Sequence, residues 1–427
     1  MFDTAVRAER IGPDTALSEP TASPEGSAAR LNRVTDQPQK PIWVRPGLTE
    51  KLDQFLAQGP ETPCLAVDLD VVAWNYRALS QAMPYAEIFY AVKANPAPPV
   101  VSRVMDQGSY LDCASPGEIN LVLGLGATPE QISFGNTIKK ATDIAEAFAK
   151  GVRLFAFDCR AELLKLAAHA PGSKVFCRLF VDNKGADWPL SRKFGCTPDL
   201  AVALMLEAER LGLEPYGLSF HVGSQQTDPG AWSLALATIA DVMDRIAAAG
   251  GQRPAMVNLG GGLPTAYRQS VCSVQEIGAH IWAEMQRLWG PDQIPKVIIE
   301  PGRYMAGDAG VIEAEVVLIA DKGNPADPRP WVYLDIGRFS GLAETEGESI
   351  RYQIVLARDT DGLETEPMVI AGPTCDSVDI LYDQANYQLP VDLKVGERVR
   401  ILATGAYTSV YSSVGFNGFA PLRCHFL

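Results

Sequence analysis

Lys93 closes the run Ile88-Phe89-Tyr90-Ala91-Val92-Lys93-Ala94-Asn95-Pro96, where five apolar residues lead into one lysine and a turn signal follows at once. A lysine at the C-terminal end of a buried parallel strand is poorly solvated. Burial disfavours its ammonium form, so the expectation is a depressed pKa and a nucleophilic amine. Such an amine forms a Schiff base with an aldehyde. The ordinary reading of an isolated strand-end lysine is a side chain reaching out to solvent.

Five more places carry residue types that chemistry uses. Asp112 and Arg178 lie inside apolar runs, and His221, one of four histidines, ends another in Phe220-His221-Val222-Gly223-Ser224-Gln225. Gly260-Gly261-Gly262 offers backbone N–H groups that a phosphate can approach closely, although three glycines alone signal only a turn. Glu300 follows Val297-Ile298-Ile299 and precedes Pro301-Gly302-Arg303-Tyr304, so its carboxylate is expected to be partly buried and to need a partner. That partner is either an arginine such as Arg303 or the protonated pyridine nitrogen of pyridoxal phosphate, whose cationic ring is an electron sink. His221 is either a core histidine or a ring that stacks on the cofactor. Arg303 is either a surface ion-pair member or a bidentate phosphate ligand.

These residues need a scaffold that brings strand ends together. Between Pro63 and Arg303 eight strand-like runs alternate with helical patterns: Glu87–Lys93, Tyr110–Ala114, Ile132–Gly135, Leu154–Asp158, Val175–Val181, Tyr216–His221, Met256–Leu259 and Val297–Glu300. This alternation predicts a parallel (β/α)8 barrel of the TIM type, whose catalytic groups come from the C-terminal ends of its strands. After Gly302 the pattern changes to β runs with loops: Val311–Leu318, Trp331–Leu334, Gln353–Ala357, Met368–Ile370, Arg398–Ala403 and Tyr407–Val414. The expected organisation is a flexible extension over residues 1–40, a barrel with a lead-in segment over 41–305, and an all-β domain over 306–427. Cys64–Val67 is a candidate to join that last domain.

The 427 residues suffice for such a two-part core, and 47% hydrophobic with 21% charged residues is an ordinary globular composition. A net charge of −14 argues against nucleic acid or an anionic membrane as partner and suits a cationic substrate. No CxxC pair occurs among the eight cysteines, so no zinc site is expected. No apolar h-region opens the chain and no apolar run approaches a membrane span, so the expectation is a cytoplasmic protein with reduced thiols.

Six motifs in one order make a resemblance specific: Tyr90-Ala91-Val92-Lys93-Ala94-Asn95, His221-Val222-Gly223-Ser224, Gly260-Gly261-Gly262, Glu300-Pro301-Gly302-Arg303, Gly372-Pro373-Thr374-Cys375-Asp376-Ser377 and Gly405-Ala406-Tyr407-Thr408. From about Leu65 to Phe419 the chain resembles the fold-type III pyridoxal phosphate decarboxylases, the ornithine/diaminopimelate/arginine decarboxylase family with its alanine racemase-like barrel. Within the family, Cys375-Asp376 and Phe416-Asn417-Gly418-Phe419 look most like ornithine decarboxylases. The resemblance implies that Lys93 holds pyridoxal phosphate as a Schiff base, Glu300 pairs with the ring nitrogen and His221 stacks on the ring. It implies Ser224, Gly260, Gly261, Gly262, Arg303 and Tyr407 around the phosphate, with Asp112, Glu118 and Arg178 lining the cofactor. It further implies a homodimer with shared sites, in which Cys375 from the second subunit protonates the carbanion and Asp376 binds the distal amine. Lys193 and Asp379 match a cross-subunit ion pair.

One stretch departs from the eukaryotic pattern. Ile336 stands where those ornithine decarboxylases supply a second aspartate to the distal amine, which looks more like bacterial ornithine or lysine/ornithine decarboxylases. Asp335 or Glu344 is then the candidate replacement. The expected function is decarboxylation of L-ornithine to putrescine, a polyamine-forming reaction, with lysine as the rival substrate. A diaminopimelate decarboxylase fits less well because no arginine motif for a distal carboxylate is evident. An alanine racemase-like activity conflicts with Glu300, and a catalytically dead homologue conflicts with retention of Lys93, Glu300 and Cys375.

Overall fold

The computed structural model describes residues 49–182, 184–188 and 193–427. The extension expected over residues 1–40 lies outside the described residues.

Eight parallel strands close a barrel: β1 (Ala86–Ala91), β2 (Tyr110–Cys113), β3 (Ile132–Phe134), β4 (Leu154–Phe157), β5 (Lys174–Arg178), β6 (Glu214–Ser219), β7 (Met256–Asn258) and β8 (Lys296–Ile299). Each coincides with one of the eight apolar runs of the sequence. Closure is made by β8 against β1, with Val297 opposite Ala86 and Ile299 opposite Ile88. The strands read as continuous apolar runs because both faces are buried. Phe89, Ala156, Phe176, Met256 and Ile298 pack together as one apolar cluster, and Phe89 stacks on Tyr110 at 4.8 Å. Outward residues such as Ile88, Leu111 and Val175 join the larger core beneath the helices. Those helices start where the sequence provides caps: Ser115 and Thr197 accept from backbone N–H groups in the first turn, and Ser273 forms a reciprocal box with Glu276.

All eight barrel strands end before their apolar runs do. Lys93 sits in a 3-10 turn, Val92–Ala94, rather than at the end of β1. Likewise, His221 and Glu300 follow β6 and β8 in loops. The barrel ladder stops where the neighbouring strand stops, and the following side chains turn into the mouth.

The second region is an eight-stranded sheet built on the long strand Gly310–Ala320. Its first half pairs with Arg398–Leu402 and with the lead-in strand Cys64–Val67. Its second half pairs with Trp331–Leu334 across a register shift between Val316 and Leu318. Two strands there, Ile380–Pro390 and Arg423–Phe426, have no counterpart in the apolar pattern. The first is interrupted by Asp383, Gln384 and Asn386, and Asn386 takes a left-handed φ of 50° within a bulged ladder. Conversely, Tyr407–Val414 is rich in strand-forming residues yet forms turns, because its start is drawn to the barrel: Tyr407 N–H donates to the Ala94 carbonyl at 2.9 Å.

Barrel and sheet meet on glycines. A Cβ on Gly405 would lie 2.0 Å from the Ala306 carbonyl oxygen, and one on Gly310 would lie 2.4 Å from Gly405 itself. Gly405→Ala therefore overpacks the junction, and unfolding in denaturant should show a loss of about 1–3 kcal/mol. Wild-type stability in this variant would mean that the junction is loose.

Candidate active site

Lys93 Nζ lies 3.3 Å from Asp112 Oδ2, and its side chain remains 48% exposed at the mouth while Asp112 is buried. Strand β2 carries Asp112 directly beside β1, with Ala91 opposite it in register. Its second oxygen lacks a hydrogen-bond partner among the described residues. A Cβ on Gly135 would lie 2.0 Å from that oxygen, so only glycine fits at the end of β3. Glu118 points inward from the next helix and accepts the Ala114 N–H at 2.6 Å.

These carboxylates overturn one expectation. Burial pulls the Lys93 ammonium downward, as anticipated, but Asp112, Tyr407, Glu300 and Glu118 outweigh it and the net displacement is upward. Lys93 therefore rests as a charged ammonium held by Asp112.

Glu300 follows β8, and of the two partners the sequence allowed it, Arg303 does not pair with it. Asn258, at the end of β7, donates its amide to Glu300 Oε1, and Arg303 is engaged elsewhere. Burial, helped by Asp112, raises the Glu300 carboxyl to about 7, against the pull of Lys93, Asn258 and Arg178. Arg178, at the end of β5, has its guanidinium 5.3 Å from the Phe194 ring centre.

His221 Nδ1 accepts the Gly223 N–H at 3.0 Å. Burial, then Arg178 and Lys93, push its pKa well below the ordinary value. The ring is therefore neutral, and the proton sits on Nε2 because Nδ1 is an acceptor.

The glycine run lets three strand-end loops converge. A Cβ on Gly260 would lie 2.2 Å from the Phe220 carbonyl, one on Gly261 2.8 Å from the Glu300 carbonyl and 3.1 Å from His221 Nε2, and one on Gly262 2.6 Å from the Gly223 carbonyl. Tyr407 enters from the sheet with φ +56°, and its hydroxyl would lie 2.7 Å from a Cβ on Gly302. Such a backbone is uncommon for a bulky residue and is held by surrounding contacts. Arg303, 3% exposed, is not the surface ion-pair member the sequence allowed. Its guanidinium forms a buried bidentate pair with Glu344 at 2.6 and 2.8 Å and also reaches Ser224 and Tyr267.

Sequence reasoning missed Asn258, Tyr267 and the Glu344–Arg303 pair. Asn258 had a local signal: its Oδ1 accepts the Gly260 N–H at 2.8 Å, an Asx turn beside a glycine run. The others come from distant loops and carry none.

Candidate residues toward the substrate divide. Asp335 accepts the Glu315 N–H at 2.8 Å within the sheet, and Glu344 is paired with Arg303, so both expected replacement acids are engaged in their own fold. Ile336 is fully buried. Cys375 and Asp376 lie on the segment between Thr365–Ala371 and Ile380–Pro390, with Cys375 exposed. Asp379 anchors that segment: its carboxylate, 2% exposed, accepts Arg338 N–H at 2.7 Å and Thr374 Oγ–H at 2.7 Å. Both of its oxygens accept hydrogen bonds within its own chain, and Lys193, the partner expected from a second subunit, is exposed.

The residues present fit pyridoxal phosphate. The barrel mouth offers one amine, one carboxylate able to hold a ring N–H, one neutral aromatic ring, and a glycine cradle flanked by hydroxyls that no β-carbon could enter.

Comparison with known proteins agrees. Residues 69–307 match the family model for the pyridoxal-dependent decarboxylases' pyridoxal binding domain. A lysine/ornithine decarboxylase of Selenomonas ruminantium is 33% identical over 373 residues, spanning 87% of this chain and 91% of that protein. An ornithine decarboxylase of Caenorhabditis elegans is 31% identical, spanning 85% and 86%. Among solved structures, the lysine/ornithine decarboxylase of Vibrio vulnificus complexed with putrescine superposes with a TM-score of 0.78 at 32% identity, covering 88% of this chain and 97% of that one. An arginine decarboxylase from Paramecium bursaria Chlorella virus bound to agmatine gives 0.80 at 27%, covering 88% and 100%.

Asp112→Asn removes the nearest carboxylate from Lys93. The amine then loses its proton at lower pH, so the rate at which apoenzyme captures pyridoxal phosphate should rise in the alkaline range relative to wild type. A pH–rate profile follows this, and an unchanged profile would show that Asp112 does not govern the charge on Lys93.

Proposed function

This chain belongs to the pyridoxal-dependent decarboxylases, and on that premise we propose that its substrate is L-ornithine and its product putrescine, with L-lysine accepted less well. The reaction class is loss of an α-carboxyl group from an amino acid. The observation that carries the substrate assignment is Asp376, an acid beside the exposed thiol of Cys375, on a segment with no arginine motif for a distal carboxylate.

Bound pyridoxal phosphate supplies the sink for the electron pair left when carbon dioxide departs. The chain's residues do the rest. Glu300 sits near its midpoint at neutral pH, and a cationic ring nitrogen placed against it draws it to the carboxylate form. Neutral His221 lays its ring on the cofactor without adding charge. Asp112 keeps the Lys93 amine in place while substrate occupies the site. Cys375 returns a proton to the α-carbon, and Asp376 holds the distal ammonium.

Both Cys375 and Asp376 are assigned to the barrel of a second copy. Cys375 is exposed, and its segment is tied to Asn417, whose oxygen accepts the Cys375 N–H at 3.0 Å. Around it Val378, Val410, Tyr411, Val414 and Phe419 are exposed, with Val414 at 80%. Apolar side chains gathered beside a functional segment mark an interaction surface. A two-fold dimer gives each barrel its partner's acid and thiol.

Lysine enters for a specific reason. With Asp335 and Glu344 engaged elsewhere, a single acid grips the distal amine, and one methylene in such a pocket discriminates by only ~1–3 kcal/mol. With ornithine, lysine, arginine and diaminopimelate supplied together, putrescine should dominate, with cadaverine formed about 10–200-fold less efficiently. Agmatine as the main product, or no amine at all, overturns the assignment.

Shared sites predict complementation. Lys93→Ala and Cys375→Ala should each be nearly inactive. After subunit exchange of equal amounts, about half the dimers are mixed, each with one intact site of two, so activity should return to about a quarter of wild type. No recovery, with exchange verified by native mass spectrometry, would place Cys375 in the site of its own chain.

A further inference from the structure

Lys93 is placed less by its side chain than by the turn that carries it. Among the described residues its side chain makes one ion pair, to Asp112 at 3.3 Å, and it stays half exposed. A lysine on so few contacts keeps much of its rotamer freedom, so the reach of Nζ depends on where the backbone stops. The barrel alone does not fix that point. Ala91, the last residue of β1, donates its N–H to the Pro301 carbonyl at 3.1 Å, and past it the chain turns through Val92–Ala94.

The two residues that follow Lys93 are both bonded to the sheet domain. The Ala94 carbonyl accepts the Tyr407 N–H at 2.9 Å. Asn95 is buried and bonded on three sides. Its side-chain amide donates to the Gly405 carbonyl at 2.8 Å, and its side-chain oxygen accepts the Ala97 N–H at 3.2 Å, at the start of the helix Pro98–Asp106. Its own carbonyl accepts the hydroxyl of Tyr90, a fully buried residue of β1, at 3.0 Å. Gly405 is a firm anchor, because its N–H donates to the Gly307 carbonyl at 2.8 Å and the Ala306 carbonyl fills the space beside its α-carbon. An asparagine suits the place, since one short side chain presents a donor and an acceptor at once.

Within the reading that Lys93 carries the cofactor, we infer that Asn95 is a positioning residue for that lysine. It moors the Lys93 turn to Gly405 above and to Tyr90 below, and this mooring sets Nζ against Asp112. The closing asparagine of the Tyr90–Asn95 motif is then the link through which the sheet domain places the barrel's amine. Without it the turn leaves Gly405, Nζ leaves Asp112, and the ammonium loses its nearest counter-charge.

The test methylates full-length apoenzyme with formaldehyde and cyanoborohydride, which act on the unprotonated amine and need no cofactor. Mass spectrometry follows Lys93 from neutral to alkaline pH beside two internal references, the exposed Lys394 and Lys139, whose side chain is wholly buried against Glu162. One pKa unit lost gives about ten times more free amine at a pH below both values, so Asn95→Ala should methylate Lys93 about tenfold faster. Lys139 and Lys394 should stay within about twofold of wild type, whereas a fold merely loosened exposes Lys139 as well. No rise at Lys93, or parallel rises at Lys93 and Lys139, overturns the inference. Asn95→Ala combined with Asp112→Asn should match Asp112→Asn within about twofold, because both act through one contact. A further tenfold rise in the double variant shows a different route and also overturns it. Should Asn95→Ala fail to fold, Tyr90→Phe replaces it and is judged alike, with a rise of about threefold expected from removing one hydroxyl from the Asn95 carbonyl. The cofactor reading is tested apart from this. If Lys93→Ala still traps pyridoxal phosphate covalently under borohydride, that reading falls and the methylation result stands.

Discussion

Burying charge without leaving it unpaired is the constraint on which this barrel mouth is built. Lys93, Arg178 and Arg303 face Asp112, Glu118, Glu300 and Glu344 in a region where an isolated ion would be costly. Each is compensated by a different device. Lys93 leans on Asp112, Arg303 is neutralised by Glu344, and Glu118 takes a backbone N–H. Glu300 is the exception. Asn258 and nearby cations leave it only half compensated, which is why its carboxyl rises to about 7. A site whose incomplete compensation falls on one carboxylate is prepared for one incoming cation, the role proposed for the ring nitrogen of the cofactor.

The two halves of the chain depend on each other through that mouth. The sheet meets the helical turn that follows β8 backbone to backbone, at Gly405 against the Ala306 carbonyl. This closeness carries Tyr407 over the Lys93 turn, where its N–H meets the Ala94 carbonyl. The same sheet domain supplies Glu344. The barrel mouth is therefore lined from both regions. The lead-in strand Cys64–Val67 ties the two further, since it pairs with the sheet before the chain enters the barrel.

The cofactor end and the substrate end are built to different standards. Around Lys93, His221 and Arg303 nearly every polar atom has a partner within the chain, as befits groups that must keep fixed positions and protonation states. Cys375 and Asp376 instead stand on an exposed segment, anchored from beneath by Asp379. Rigid anchoring below and exposure above suit residues offered to another copy of the chain.

Much of this was legible in the sequence, for stated reasons. Period and alternation revealed all eight barrel strands, since strands buried on both faces must be apolar throughout. Residue type and order singled out Lys93, Asp112, His221, Gly260–Gly262 and Glu300, because their chemistry is local to strand ends. What sequence could not decide were sums over neighbours. The direction of the Lys93 pKa depends on Asp112, Tyr407, Glu300 and Glu118 arriving from four elements. The fates of Asp335 and Glu344 depended on partners 20 and 41 residues away. Ile380–Pro390 was hidden because its polar interruptions face outward or sit in a bulge. Apolar pattern is written along the chain. Electrostatic balance and donor counting exist only once the chain has closed on itself.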